Sequence, residues 1–419
     1  MKLLHKNNMR GELFAPPDKS ISHRGIIFGA ISHGKTEIDG FLTGEDCLAT
    51  VDAFRKMGID IELNGTQVCV HGRGLKGLSR PDGPLYAANS GTTTRLLSGI
   101  LAGQAFETTI TGDPSLSKRP MKRIIEPLSQ MGAYLMSSGG TLPLTIQGGK
   151  LHGIHYQMPV ASAQVKSCIM LATLYADSPS VITEPYLSRN HTELMMQYFG
   201  GNVQTEGTSV TVSPVTALNA QKVTVCGDIS SAAFFMAIPY VLPNSSITIK
   251  SVGLNPTRSG IIDVLTKMGA NLKIENQRLA GYEPVGDITC ISSDLKGTTI
   301  EGELIPRLID EIPIIAVLAG FAQGTTVIRD AAELKVKESD RITCMATELS
   351  KAGIHVTPTD DGMIIEGSGQ VKPAHFCHYN DHRIAMALSI LALAGDCTMD
   401  EPDCVNISFP DFYQILNSL

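Results

Sequence analysis

The chain of 419 residues is long enough for two domains, because a single hydrophobic core stops growing beyond about 250–300 residues. Its content of 43% hydrophobic and 18% charged residues is typical of a globular protein and excludes a disordered or fibrous one. The formal net charge of -7 indicates no broad basic surface, which argues against nucleic acid or an anionic membrane as the main partner.

The N-terminal sequence MKLLHKNNMR has no hydrophobic core of a signal peptide, and no apolar run in the chain reaches membrane-spanning length. The nine cysteines form no CxxC pair and are scattered in apolar surroundings, as reduced thiols are. We therefore expect a cytoplasmic protein with no membrane partner.

One unit recurs about every 70 residues along the chain: a polar residue, an apolar helix rich in small residues, a turn and a β-rich strand. The six copies begin at Asp18, Asn89, Ser162, Asp228, Asp310 and Asp381. Three copies fall in each half of the chain, which predicts two similar lobes. Because these helices are apolar on nearly all sides, we expect them to be buried inside the lobes.

A second set of helices lies between the first ones and is more amphipathic. Its members usually stop at a glycine, as VDAFRKMG does at Gly58 and ELSKAG at Gly353. We expect these helices to face strands or solvent. The buried helices begin with residues that are good N-caps. The free backbone N–H groups of the first turn and the helix dipole attract anions to these starts.

The first buried helix, DKSISHRG, brings hydroxyl, ammonium and guanidinium groups to one place. Ser20 and Arg24 are four residues apart and share a helix face, next to Lys19. Because the rest of the helix is apolar, we interpret this basic face as a binding site for an anion rather than as a solvated surface. His23 is as easily explained by a structural role.

Later helix starts repeat this pattern. Gly91 in NSGTTTR leaves the backbone open to a ligand, whereas Arg95 is explained equally well as a structural tie. Arg119, on a loop bounded by prolines, and Gln164, at the third helix start, are suited to hold carboxylate or phosphate. The loop at Arg189 is interpreted equally well as solvated or ligand-binding.

Two carboxylates stand among the cations of the second half. Asp310 lies at a predicted helix start, where it would ordinarily be an N-cap, yet burial beside cations also suits it to accept a proton. In KVKESDR, Lys337 and Arg341 are predicted to share a helix face with Glu338 beside them, although such charge runs are usually exposed. Arg383 follows at the sixth helix start.

Two apparent motifs are interpreted as coincidental. The segment GAISHGKT, from Gly29 to Thr36, matches a P-loop pattern, but a helix precedes it and a strand follows, the reverse of a P-loop. A histidine- and cysteine-rich segment matches no standard zinc spacing, so we expect no metal there. Its residues are His375, Cys377, His378 and His382.

The motifs DKSISHR, NSGTTTR, SLSKRPM, SAQVKS, LIDEIP, KVKESDRI and NDHR occur in this order over the whole length. With them the chain resembles 5-enolpyruvylshikimate-3-phosphate (EPSP) synthase, in particular the bacterial branch that has SAQ where others have SSQ. The resemblance implies two inside-out α/β barrel lobes of three βαβαββ repeats each, closing around the substrates. The expected lobes are residues 18–227 and residues 1–17 with 228–419.

The resemblance also implies the site residues, with no cofactor and no metal. Shikimate 3-phosphate would be held by Lys19, Ser20, Arg24, Ser162, Gln164, Arg189, Asp310 and Lys337. Phosphoenolpyruvate would be held by Lys19, Gly91, Arg119, Gln164, Arg341 and Arg383. Asp310 would be the base for the substrate hydroxyl, and Glu338, with Lys19, the proton donor at the methylene. The protein would act as a monomer, with glyphosate as a candidate inhibitor.

Three residues depart from the family pattern. Pro17 and Ala88 stand where the family commonly has glycine, and Ile407 stands where one branch has a lysine that contacts phosphoenolpyruvate. Three alternatives therefore stay open. They are a related transferase acting on a UDP-amino sugar, one acting on another cyclic alcohol phosphate, and a non-catalytic anion-binding repeat protein.

Overall fold

The computed structural model describes residues 2–419, which form two compact units. The N-terminal unit is the continuous segment 17–225. The C-terminal unit contains residues 226–419 together with the residues before 17. The mixed sheets and helices of both units confirm the α/β class predicted from the sequence.

The helices alternate between buried and amphipathic types along the chain. They are α1 (Lys19–Ile31), α2 (Glu45–Lys56), α3 (Gly91–Leu101), α4 (Lys122–Gln130), α5 (Ala163–Thr173), α6 (His191–Tyr198), α7 (Ile229–Val241), α8 (Gly260–Lys267), α9 (Leu304–Leu308), α10 (Ile312–Phe321), α11 (Arg341–Lys351), α12 (His382–Leu391) and α13 (Phe412–Ser418). Short 3-10 helices cover 116–118, 332–336, 392–394 and 403–407.

The strands are short and follow the helices at regular intervals. They are β1 (Arg10–Phe14), β2 (His33–Asp39), β3 (Asp60–Asn64), β4 (Gln67–Arg73), β5 (Leu85–Tyr86), β6 (Glu107–Thr111), β7 (Tyr134–Ser137), β8 (Leu144–Gln147), β9 (His155–Gln157), β10 (Ser180–Thr183), β11 (Asn202–Glu206), β12 (Ser209–Ser213), β13 (Lys222–Thr224), β14 (Ser246–Gly253), β15 (Asn271–Ala280), β16 (Glu283–Ile291), β17 (Thr299–Ile300), β18 (Thr325–Ile328), β19 (His355–Pro358), β20 (Met363–Glu366), β21 (His375–Phe376) and β22 (Thr398–Met399).

The apolar helices are buried, as predicted. Every residue of α7 is buried, and in α1 only Lys19 and Ser20 at its start are partly accessible. The other buried helices are α3 and α5 in the N-terminal unit and α10 and α12 in the C-terminal unit. Each unit therefore has three helices in its core, and the amphipathic helices pack with one face only.

Five of the six repeats form a four-stranded sheet of one topology. A parallel pair is followed by two antiparallel neighbours, in the orders β13-β2-β4-β3, β5-β6-β8-β7, β9-β10-β12-β11, β1-β14-β16-β15 and β17-β18-β20-β19. The sixth repeat keeps only the parallel pair β21-β22. Strand β13 returns to the first sheet of its unit, and β1 joins the sheet of β14.

The helix starts agree only partly with the caps expected from the sequence. Asp18, Asp228 and Asp381 accept a backbone N–H at the starts of α1, α7 and α12. The N-cap of α3 is Ser90 rather than Asn89. The N-cap position of α10 is Glu311, because Asp310 lies in the turn between α9 and α10. Asp310 therefore lies one residue before the N-cap position of α10.

The glycines after the amphipathic helices have the predicted left-handed conformation. Gly58 follows α2 with a φ of 84° and Gly353 follows α11 with a φ of 85°, values that favour glycine at a helix C-terminus. None of the helices within residues 2–419 has the length and apolar character needed to cross a bilayer.

Candidate functional site

In the N-terminal unit, the start of α1 carries the first group of site residues. The Lys19 ammonium lies 3.1 Å from a carboxylate oxygen of Asp46 on α2, and the lysine side chain is 18% exposed. The cap Asp18 accepts from the backbone N–H of Ile21 at 2.9 Å. Lys19 is thus held at the helix start by a neighbouring carboxylate and remains reachable from solvent.

The guanidinium of Arg24 points into the N-terminal unit. It donates to the Thr192 hydroxyl at 2.7 Å, to the Ser167 hydroxyl at 2.8 Å and to the carbonyl oxygen of Ser20 at 3.0 Å. These bonds connect α1 with α5 and α6 and fix the backbone that presents Ser20. Arg24 therefore supports the site from inside.

His23 is completely buried beside these cations. Its Nδ1 lies 2.7 Å from the Thr50 hydroxyl. Burial, reinforced by the charges of Lys19 and Arg24, holds the pKa of His23 well below its usual range. The imidazole is therefore neutral and structural at pH 7.

The start of α3 brings two arginines next to a glycine. A Cβ at Gly91 would lie 3.0 Å from Nη1 of Arg95 and 3.4 Å from Nη1 of Arg119. Arg119 also donates to Asn89 Oδ1 at 2.6 Å. The absence of a side chain at position 91 leaves room for both guanidinium groups close to the helix N-terminus, where an anion is favoured.

Arg95 connects α3 to Gln164 on α5. Its Nη1 donates to Oε1 of Gln164, whose amide nitrogen donates to the Thr92 hydroxyl at 2.9 Å. Sequence reasoning offered a structural tie as the simple explanation of Arg95, and these bonds form such a tie between α3 and α5. The sequence signal for its position was the spacing of four residues from Gly91, which places both residues on one face of α3.

A buried ion cluster fixes the loop that carries Arg189. The Lys166 ammonium lies 2.6 Å from Glu184 and 2.7 Å from Glu193, and its side chain is 1% exposed. It also donates to the carbonyl oxygen of Ser188 at 3.3 Å. Burial opposes the charge of Lys166, but the two carboxylates outweigh burial and raise its pKa.

In the C-terminal unit, Asp310 lies between two cations. Its Oδ1 is 3.5 Å from the Lys337 ammonium and 3.5 Å from Nη1 of Arg341. The backbone carbonyl of Asp310 accepts from Arg383 at 3.2 Å. Three predicted site residues from two motifs therefore contact Asp310, whose side chain is 14% exposed.

Arg341 is the centre of this second group. It donates to Glu338 at 2.6 Å and to both carboxylate oxygens of Asp381, at 2.8 Å and 3.3 Å. Burial opposes the charge of Arg341, but Asp381, Glu338 and Asp310 raise its pKa. Burial would raise the pKa of Asp381, but Arg341 holds it below its usual range.

The expectation that Lys337 and Arg341 share a helix face was wrong. Helix α11 begins at Arg341, and residues 337–340 precede it as an irregular segment after a 3-10 turn. Asp340 forms the N-cap by accepting from the backbone N–H of Thr343 at 3.2 Å. Lys337 and Arg341 still converge, because both reach the carboxylate of Asp310.

The predicted site residues are divided between the two units, and each set is called a cluster by its place at helix starts and adjoining loops. The N-terminal cluster contains Lys19, Ser20, Arg24, Gly91, Arg119, Ser162, Gln164 and Arg189, on the starts of α1, α3 and α5 and the adjoining loops. The C-terminal cluster contains Asp310, Lys337 and Glu338, which precede α10 and α11, and Arg341 and Arg383, which lie in the first turns of α11 and α12. Basic groups at helix starts suit both clusters to anionic ligands.

The P-loop-like segment is rejected by the structure as well. Residues 29–31 end α1 and residues 33–36 begin β2, so the helix precedes the strand as expected.

Comparison with known proteins gives one consistent family. The family model of EPSP synthase (3-phosphoshikimate 1-carboxyvinyltransferase) matches residues 4–416. A protein of Thermoanaerobacter sp. (strain X514) named 3-phosphoshikimate 1-carboxyvinyltransferase is 54% identical over 417 residues, which are 99% of this chain and 98% of that protein. The protein of this name from Oceanobacillus iheyensis is 50% identical, covering 98% of this chain and 97% of its own.

Solved structures agree. An EPSP synthase structure from Acinetobacter baumannii has a TM-score of 0.88 and 46% identity, covering 100% of this chain and 97% of that one. The enolpyruvyl transferase NikO from Streptomyces tendae, at 15% identity and a TM-score of 0.80 over 100% of this chain and 96% of that one, shares the fold. Because one family model and close relatives cover almost the whole chain, the chain belongs to the EPSP synthase (3-phosphoshikimate 1-carboxyvinyltransferase) family.

Proposed function

We propose that the chain transfers the enolpyruvyl group of phosphoenolpyruvate to the 5-hydroxyl of shikimate 3-phosphate. The products are 5-enolpyruvylshikimate 3-phosphate and phosphate, a step of the shikimate pathway towards chorismate and the aromatic amino acids. The observation that carries this proposal is the 54% identity to a 3-phosphoshikimate 1-carboxyvinyltransferase over 99% of the chain. The two clusters of cations and carboxylates at helix starts fit two phosphorylated substrates.

Each substrate is assigned its binding residues individually. For shikimate 3-phosphate we assign Lys19, Ser20, Arg24, Ser162, Gln164, Arg189, Asp310 and Lys337. For phosphoenolpyruvate we assign Lys19, Gly91, Arg119, Gln164, Arg341 and Arg383. The residues assigned to each substrate come from both segments of the chain, 18–227 and 228–419.

The carboxylates of the C-terminal cluster carry the proton transfers. Glu338 gives a proton to the methylene carbon of the enol, and the 5-hydroxyl oxygen bonds to the neighbouring carbon while Asp310 takes the hydroxyl proton. The tetrahedral adduct then loses phosphate, and one methyl proton returns to the Glu338 carboxylate, which restores the double bond and the acid. The cations Lys19, Arg119 and Arg341 stabilise the developing and departing negative charge.

Arg341 prepares both carboxylates for these roles. It lies 2.6 Å from Glu338 and 3.5 Å from Asp310, so a single buried cation orients the acid and the base. Asp381 in turn fixes Arg341 through two oxygens. No metal or organic cofactor is needed in this scheme.

Three further proposals concern the protein's surroundings. We propose that it acts as a monomer in the cytoplasm. Ile407 lies at the end of the 403–407 3-10 helix and has no charge. The site would therefore have one cation fewer than the branch with lysine there, and we propose that glyphosate binds more weakly.

The experiment measures phosphate release from shikimate 3-phosphate and phosphoenolpyruvate. We expect release to require both substrates and to fall about 10²–10⁴-fold in Asp310→Asn and in Glu338→Gln, the range of general acid–base catalysis. Glu301→Gln is the matched control, because Glu301 is an exposed carboxylate of the same unit, 51% exposed and 3.6 Å from Arg329.

The same assay separates the alternatives. Release with a UDP-amino sugar or another cyclic alcohol phosphate, but not with shikimate 3-phosphate, would identify a paralogue of different acceptor specificity. Saturable binding of both substrates without release by the wild type would instead indicate an anion-binding protein.

A further inference from the structure

The outer face of the first sheet carries an arrangement that the transferase activity does not use. Strand β4 pairs with β2 on one side and with β3 on the other, so cross-strand partners share a face. One row of partners is Glu37, Cys69 and Glu62, and the next row is Lys35, His71 and Asp60. Alternate residues such as Val68 and Val70 are buried on the opposite face.

Three different metal-ligating groups meet in this face. Nε2 of His71 lies 3.4 Å from Sγ of Cys69 and 3.2 Å from Oε1 of Glu62. All three donor atoms lie within 4.8 Å of one another. A neutral imidazole nitrogen is either a donor or an acceptor, so hydrogen bonding alone does not serve both partners well.

The two separations from Nε2 of His71, 3.4 Å and 3.2 Å, are close to the edge lengths of a tetrahedral zinc site. Zinc bonds of about 2.3 Å to sulfur and about 2.0–2.2 Å to nitrogen or oxygen place neighbouring donor atoms about 3.3–3.6 Å apart. The thiolate, imidazole and carboxylate would occupy three corners. Since His71 and Glu62 are 42% and 69% exposed, the fourth corner is open to water.

We propose that Glu62, Cys69 and His71 form a surface binding site for a divalent transition-metal ion of the zinc type. The ion replaces the thiol proton, which passes to the solvent, and it bonds to one atom of each side chain. Glu37 and Asp60 flank the site with further negative charge. Lys35 is the opposing cation of the face, and its ammonium lies 3.1 Å from Glu37.

The site is separate from the proposed chemistry. None of its three ligands belongs to the residues assigned to either substrate, and all three lie on the hairpin β3-β4. The pairing of the two strands fixes the backbone positions of the three residues before any ion binds, so only their side chains need to be ordered.

Cobalt(II) is the probe, because a cobalt–thiolate bond gives a near-ultraviolet charge-transfer absorption band. Chelator-treated full-length protein is titrated with Co²⁺ and then with Zn²⁺. We expect a band that saturates at one Co²⁺ per chain and disappears when Zn²⁺ displaces it. We expect Cys69→Ser to abolish the band and Glu62→Gln to weaken Co²⁺ binding by at least about 10-fold.

Two variants control for nonspecific binding. Cys377→Ser removes another half-buried thiol. His355→Gln removes the cross-strand pair of His355 with Glu366, which has the same 3.2 Å separation but no cysteine partner. Both should keep the band. The proposal would be overturned if the wild type gave no band at excess Co²⁺ or if Cys69→Ser gave an undiminished band. Phosphate release by Cys69→Ser at the wild-type rate would show that this variant is folded.

Discussion

At the scale of single residues, Ala88 has a backbone conformation that ordinarily requires glycine. Its φ is 49°, in the left-handed region, where a non-glycine residue is strained by roughly 1–2 kcal/mol. The carbonyl of Ala88 accepts from the Asp113 N–H at 2.9 Å, which ties this backbone to the loop carrying Arg119. The departure from the family glycine therefore has a physical cost at the site.

We expect Ala88→Gly to stabilise the protein. Removal of the backbone strain should outweigh the extra conformational freedom of glycine in the unfolded chain. The free energy of unfolding should therefore rise by up to about 1 kcal/mol. Thermal denaturation would show this as a midpoint higher by roughly 2–4 °C. Ala87→Gly is the control, since the buried Ala87 has no such φ and its replacement should lower the midpoint.

His23 predicts a pH dependence of stability. Its folded pKa is lowered by burial and by neighbouring cations, so the unfolded chain takes up a proton first as pH falls. The stability that neutral His23 contributes is fully present above about pH 6.5, the pKa of histidine in the unfolded chain. It is lost as the pH falls towards the lower pKa of the folded protein. Between these two pKa values the free energy of unfolding falls by up to about 1.4 kcal/mol per pH unit.

His23→Gln should therefore flatten the acid side of a plot of thermal midpoint against pH. The exposed His33 provides the matched variant, because His33→Gln should leave the slope unchanged. An identical acid slope in wild type and His23→Gln would contradict the assignment of His23 as a buried neutral group.

At the scale of elements, the Lys166 cluster joins α5 to the loop before α6. Lys166→Met would leave Glu184 and Glu193 as buried carboxylates without their ammonium, which we expect to cost about 3–5 kcal/mol. Because the cluster holds Ser188, next to Arg189, the KM for shikimate 3-phosphate should rise more than the KM for phosphoenolpyruvate.

Urea denaturation and steady-state kinetics would check both effects. The exposed pair Lys35–Glu37 offers the comparison, and Lys35→Met should leave the urea midpoint nearly unchanged. Equal increases of both KM values in Lys166→Met would show that the cluster does not position the Arg189 loop selectively.

At the scale of the whole molecule, the segment 17–225 contains every strand of its three sheets and the helices α1–α6. We expect this segment to fold alone with a cooperative thermal transition in circular dichroism. Residues 17–219 lack β13, which leaves the edge of β2 unpaired and removes the buried Val223, so this shorter segment should melt at lower temperature. A non-cooperative 17–225 would refute the idea of an independent unit.

The sequence by itself determined the features that depend on local pattern. Six apolar helices with polar starts, glycine stops after amphipathic helices and the order of the motifs were all visible, because periodicity and capping act within a few residues. The α/β class, the family and the presence of Lys19, Gly91 and Arg119 at or near helix starts followed from that local information.

Only the tertiary structure decided the contacts between distant segments. Asp381 holds Arg341 across 40 positions, and Arg95 binds Gln164 across 69 positions. The sequence predicted that Lys337 lies on the same helix as Arg341, and this prediction was wrong, because α11 begins at Arg341. Partners of a buried charge are selected by packing over the whole unit, and no local pattern encodes that choice.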